Sequence, residues 1–192
     1  LCPSPRPLDH SLFTALEALP LKKPLPIALM VSGNWIRQHP DDLSWLKAQA
    51  AAETVSITWV NHSFSHPYHP AAPLEQNFLL SPGNDFTSEV LNLERLMLDE
   101  GLLPSPFFRF PGLVSNQRLV EQLLSLNLIP IGSNAWLAKG EQPRPGSIIL
   151  VHANGNEPEG IRLLKAFFTR QRETFRQRDA VLLPLREAFG LP

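Results

Sequence analysis

The sequence holds a single cysteine, Cys2, in 192 residues. That excludes an internal disulfide framework and a zinc cluster built from several cysteines. Low cysteine content suits cytoplasm and periplasm alike. No basic run is longer than the pair Lys22-Lys23, and the formal net charge is -1. The electrostatic footprint of a nucleic-acid-binding protein is therefore missing, and no nucleic-acid partner is expected. The longest apolar runs are strand-sized, so no transmembrane segment is expected. The chain opens Leu1-Cys2-Pro3, with no charged and then apolar leader before it, so no signal peptide is read in it. There is no internal repeat, no low-complexity tract and no linker that would split the chain.

What is present describes a folded enzyme-sized unit. With 43% hydrophobic and 18% charged residues, the chain is neither disordered nor fibrous. Its length suits one domain, residues 1–192, with a core large enough to need no staples. The 20 prolines punctuate apolar runs, as in Pro24-Leu25-Pro26 and Pro143-Arg144-Pro145, and read as loop stops.

Apolar patterning alternates between strand and helix periods. Strands are expected over residues 26–32 (PIALMVS), 54–60 (TVSITWV), 107–110, 128–132, 147–151 (SIILV) and 180–183. Helices are expected over residues 11–19, 40–52, 87–100, 116–126 and 159–176, with a short tail helix after the last strand. A long, proline-punctuated loop is expected from Asn61 to about Pro82; loops of that length are commonly functional. Such strand–helix alternation argues for parallel strands wrapped by helices.

Three segments carry chemistry. In Asn61-His62-Ser63-Phe64-Ser65-His66, two imidazoles stand four apart just beyond a strand end. They are either ligands of a divalent ion or solvated loop residues. In Phe107-Phe108-Arg109-Phe110-Pro111-Gly112, a cation sits within an aromatic strand. A buried charge demands a partner, so Arg109 is either part of a site or half of a structural ion pair. His152 closes the most apolar strand, Ser147-Ile148-Ile149-Leu150-Val151. It is either a general acid or base or a histidine bonded to a backbone carbonyl.

Taken in order, these segments resemble the polysaccharide deacetylases, the NodB-homology domains of carbohydrate esterase family 4. The likeness rests on His62-Ser63-Phe64-Ser65-His66 with the preceding Asn61, on Arg109-Phe110-Pro111, on Trp136 in Ser133-Asn134-Ala135-Trp136, and on Leu150-Val151-His152. It implies a distorted (β/α) barrel of about seven strands, of the glycoside hydrolase–deacetylase type, with its first strand missing. It implies hydrolysis of N-acetyl groups on an amino-sugar polysaccharide such as peptidoglycan or chitin, a hydrolase acting on C–N bonds other than peptide bonds. The cofactor implied is a divalent metal, zinc foremost, held by His62 and His66. His152 would protonate the leaving amine, and Arg109 would orient the base aspartate. Trp136, Pro111 and Asn61 would shape the substrate groove. The compartment implied is periplasmic or extracellular. The alternative is a non-catalytic glycan-binding relative; the oligomeric state is not legible.

The chain also departs from the family pattern. Alignment through residues 26–40 sets Leu1 where the family has its metal-binding aspartate and Cys2 where it has a glycine, and the base aspartate would precede Leu1. Impaired activity is therefore expected. Asp9, Cys2 and His69 are conceivable third ligands. The acidic residue that the family often places before the tryptophan is Ala135 here, and Asn156-Glu157 after His152 fall outside the usual motifs.

Overall fold

The computed structural model describes residues 1–191. Each main helix begins where the sequence supplies acceptors or a proline. Asp9 caps α1 (His10–Glu17) by accepting from the Ser11 amide. Pro40 opens α3 (Pro40–Ala51), with Asp41 and Asp42 in its positive first turn. Asp85 caps α4 (Phe86–Asp99) and Asn116 caps α5 (Gln117–Ser125) through the same side-chain device. Pro158 opens α6 (Pro158–Arg170). The expected α/β class holds. One sheet has the strand order β1 (Leu25–Val31), β2 (Val55–Asn61), β3 (Pro104–Phe108) and β4 (Ile129–Pro130); a second pairs β5 (Ala135–Trp136) with β6 (Ile149–Leu150). The β2–β3, β3–β4 and β5–β6 ladders are parallel.

The chain folds into two compact units, each assembled from several stretches. The first holds Leu1–Pro3, Leu29–Gln38 and Trp59–Gly132. Its core joins Leu79, Phe86, Val90, Phe108, Phe110, Leu119, Leu123 and Leu128. The apolar faces of α4 and α5 supply Phe86, Val90, Leu119 and Leu123. The second holds Ser4–Ala28, His39–Thr58 and Ser133–Pro192. Here α6 is anchored through Gly160, whose missing side chain would stand 3.6 Å from Val151 Cγ1.

Several expectations require correction. A helix that the pattern did not announce, α2 (Gly33–Gln38), follows β1 directly. The expected helix over residues 159–176 breaks at Gln171 into α6 and α7 (Arg172–Gln177), which places Phe175 6.4 Å from Phe168, centroid to centroid. Residues 180–183 form no strand, since Val181 and Leu183 are more than half exposed and have no sheet face to cover. The tail helix is α8 (Leu185–Ala188). Strand β6 is shorter than expected because the Ile148 backbone is taken up by side chains: its N–H donates to Asn134 Oδ1 and its carbonyl accepts from Ser133 Oγ. Arg109 and Phe110 lie just beyond β3 rather than inside it.

Candidate functional site

The loop after β2 is held in an unusual path by its own polar residues. Asn61 pairs with Phe108 in the sheet, and the His62 amide donates to the Val31 carbonyl. Asn61 itself is fully buried; its Nδ2 donates to the Val90 carbonyl and its Oδ1 accepts from the Ser63 amide. Asn61 thereby builds the turn, and its side chain also hydrogen-bonds Glu94. Ser63 and His66 take left-handed backbone, at φ 65° and 48°, a conformation that costs free energy and persists only when neighbours hold it. The holders are visible. Ser63 Oγ accepts from the His66 amide, Glu89 accepts from both the amide and hydroxyl of Ser65, and the Phe64 carbonyl accepts from Asn34. Gly33 is required at the start of α2, because a Cβ there would sit 2.4 Å from Phe64 Cδ2.

This path turns two imidazoles toward each other. The His62 and His66 rings lie 4.8 Å apart, edge to face. His62 Nδ1 is 2.7 Å from the Arg109 carbonyl. A carbonyl only accepts, so Nδ1 carries the proton and Nε2 presents a lone pair. Burial lowers the His62 pKa to about 4, against an opposing hydrogen bond from Cys2, so the ring is neutral near pH 7 and fit to coordinate a cation. His66 Nε2 is buried and has no hydrogen-bond partner. Cys2 Sγ stands 3.7 Å from His62 Nε2. The ligand atoms of Cys2, His62 and His66 all fall within 4.8 Å of one another. An orphaned imidazole nitrogen beside a second lone pair and a sulfur is a donor set that suits zinc.

Arg109 lies in the same unit and is 5% exposed. Its Nη2 donates to the Gly132 carbonyl at 2.5 Å, while Nε is buried without a partner. Burial lowers its pKa to about 10, partly opposed by the charge of Cys2; it remains a cation at neutral pH. Pro111 is buried and begins a 3₁₀ turn with Gly112, where a Cβ would meet the Phe78 ring at 2.3 Å. Of the other conceivable ligands, Asp9 is spent capping α1, and His69 is exposed with its amide tied to Asn77. Leu1 is buried and hydrogen-bonded through its carbonyl to Ser32.

The second unit holds a different arrangement. His152 Nδ1 lies 2.5 Å from Glu157 Oε2, and Trp136 Nε1 donates to the same oxygen at 2.9 Å. Trp136 stands 5.9 Å from the His152 ring and carries the Lys139 ammonium 3.8 Å over its face. The carboxylate accepts, so His152 donates through Nδ1. Sequence reasoning named His152 and Trp136 but set Glu157 aside. The readable signal was an acidic residue directly before Pro158, at a helix start that faces back on the strand end.

No family model matches the sequence. Solved structures do resemble the fold. A family 4 carbohydrate esterase from Bacillus anthracis superposes with a TM-score of 0.65 at 19% identity, over 95% of this chain and 75% of that one. A peptidoglycan N-acetylglucosamine deacetylase gives 0.65 at 13% identity, over 96% and 83%. A family 4 pseudoenzyme, also from Bacillus anthracis, gives 0.60 at 13%, over 95% and 62%. At such identities the likeness establishes the fold. This chain has the α/β fold of the family 4 carbohydrate esterases, the one its motifs resemble.

Proposed function

We propose that this protein is a metal-dependent hydrolase that removes N-acetyl groups from an amino-sugar polysaccharide, with peptidoglycan and chitin-like polymers as the substrate class. The observation that carries the reading is the convergence of His62 and His66, one ring with its tautomer set by the Arg109 carbonyl and the other with a buried, unpartnered Nε2. A buried imidazole nitrogen left without a hydrogen bond calls for an explanation, and a bound cation supplies one. A divalent ion bound there, zinc foremost, would supply Lewis acidity toward the acetyl carbonyl and acidify the attacking water.

The remaining work falls to this chain's own groups. His62 and His66 hold the ion. In the second unit, Glu157 fixes the His152 Nδ1–H and offers compensating charge when the ring carries both protons, which suits His152 as the general acid. Trp136 packs beside that ring and shapes the sugar site. Buried Pro111 and its turn keep the segment after Arg109 in place. Arg109 contributes a buried positive charge next to Cys2. A substrate of this kind would be met outside the cytoplasm, in the periplasm or beyond. No helix among the described residues is long and apolar enough to cross a membrane.

One observation favours a second reading, a glycan-binding relative without catalysis. Among the described residues, the group that converges on His62 and His66 contains no carboxylate, and one solved neighbour is itself a pseudoenzyme. Acetate release from N-acetylglucosamine oligomers and from peptidoglycan, with and without added zinc, decides between them. Zinc-dependent release that disappears in His62→Ala supports the hydrolase. Oligomer binding without release supports the second reading, and neither binding nor release sinks both.

A further inference from the structure

We infer that Cys2 is a third protein ligand of the centre, so that the ion is held by two imidazoles and one thiolate and the site selects zinc-like over magnesium-like cations. This rests on the metal-dependent reading above and goes beyond it in naming the ligand and the class of ion. The resembled family would put an aspartate in this role, and alignment through β1 puts Leu1 at that position; the structure brings Cys2 to the imidazoles instead.

Three independent features agree. The first is spacing. In tetrahedral zinc sites with Zn–S of about 2.3 Å and Zn–N of about 2.0–2.1 Å, neighbouring donors stand about 3.3–3.6 Å apart. The Cys2 Sγ to His62 Nε2 separation is 3.7 Å, close to one edge of that tetrahedron, and drawing the His66 ring inward would close the rest. The second is direction. The Arg109 carbonyl takes the Nδ1 proton of His62, so the nitrogen that faces the sulfur is the one with the free lone pair. In the metal-free state the thiol can donate to that lone pair; a cation replaces the shared proton. The third is charge. Arg109 is buried, has no carboxylate among its described partners, and Cys2 is its favourable electrostatic neighbour. A thiolate at Cys2 therefore answers two needs, a negative ligand for the ion and a counter-charge for the guanidinium.

Ligand softness gives the consequence. A thiolate with two imidazoles favours zinc and cobalt, whereas carboxylate and water favour magnesium and manganese. Cys2 is the only cysteine in the chain, so every thiol signal reports on this residue alone.

The experiment loads the 192-residue chain with cobalt(II) and reads its near-ultraviolet spectrum, where thiolate-to-cobalt charge transfer absorbs. The wild-type protein should show that band, and zinc should abolish it by displacement. Zinc should also protect Cys2 from alkylation. Cys2→Ser should lose the band and weaken zinc binding by more than the roughly 10–100-fold typical of losing an outer-shell partner. Cys2→Asp, which guards against a folding defect in the serine variant, should bind metal without the band and shift preference toward manganese. Tight cobalt binding without the band, or alkylation unaffected by zinc, overturns the assignment and leaves the two-histidine metal reading standing. No metal binding at all overturns both. A thiolate band with no acetate release supports this inference and counts against the hydrolase.

Discussion

The His62–His66 loop and the His152–Glu157 pair use the same imidazole chemistry to opposite ends. In both, Nδ1 donates its proton to an oxygen. The acceptors differ. His62 faces a neutral main-chain carbonyl in a dry loop, where burial pushes its pKa to about 4 and keeps a lone pair on offer. His152 faces a carboxylate, and both side chains are partly open to solvent, at 22% and 31% exposure. A carbonyl orients a ring without favouring its cation; a carboxylate orients it and favours the cation. On the proposed reading, the acceptor at Nδ1 is what would separate a metal ligand from a proton carrier.

That contrast can be broken, starting with the largest effect. His62→Ala should reduce zinc affinity more than about 100-fold, beyond the usual outer-shell loss, and take zinc-dependent acetate release with it; zinc titration reads the first and acetate assay the second. Wild-type affinity in that variant would remove the metal half of the comparison. His152→Ala should lower kcat about 10²–10⁴-fold, the usual worth of general acid–base assistance, with zinc stoichiometry unchanged. A parallel loss of zinc would make His152 a ligand and erase the distinction.

Glu157→Gln sharpens it further. Glutamine still offers an oxygen to His152 and Trp136 but lacks the charge. The loss of a charge-assisted hydrogen bond, about 1.5–3 kcal/mol, should appear as a roughly 10–100-fold drop in kcat, with KM and stability little changed. An unaltered kcat would show that the carboxylate only packs. The smallest chemical effect belongs to Gly33→Ala. Its Cβ would meet Phe64 at 2.4 Å, and overpacking of this kind costs about 1–3 kcal/mol. A lower denaturant midpoint at constant m-value is expected, with some weakening of zinc binding as the loop shifts. An unchanged midpoint would mean that the loop yields easily and does not preorganise His62 and His66.

Much of this was legible beforehand where local rules dominate. The apolar run that became β1, the β-branched run that became β2, and the helices expected over residues 40–52, 87–100 and 116–126 follow from period and propensity. Helix α2 was not legible, because six residues including Gly33 and Asn34 carry little helical signal; tertiary hydrogen bonds from the loop above it hold it in place. The strand expected at residues 180–183 failed for the reverse reason, having a strand's composition but no face to bury. The part Asn61 plays in its turn was not legible, because no spacing reveals it.

The sequence by itself determined the α/β class, the order of the motifs and the identity of the two imidazoles, since these depend on residue type and on spacing within one element. Only the tertiary structure decided the partners. It brought Cys2 across 60 positions to His62, set the Gly132 carbonyl against Arg109, and folded Glu157 back onto His152. Side chains far apart in the chain meet through strand register and helix placement, and those are set by how the whole apolar surface is buried rather than by any local pattern.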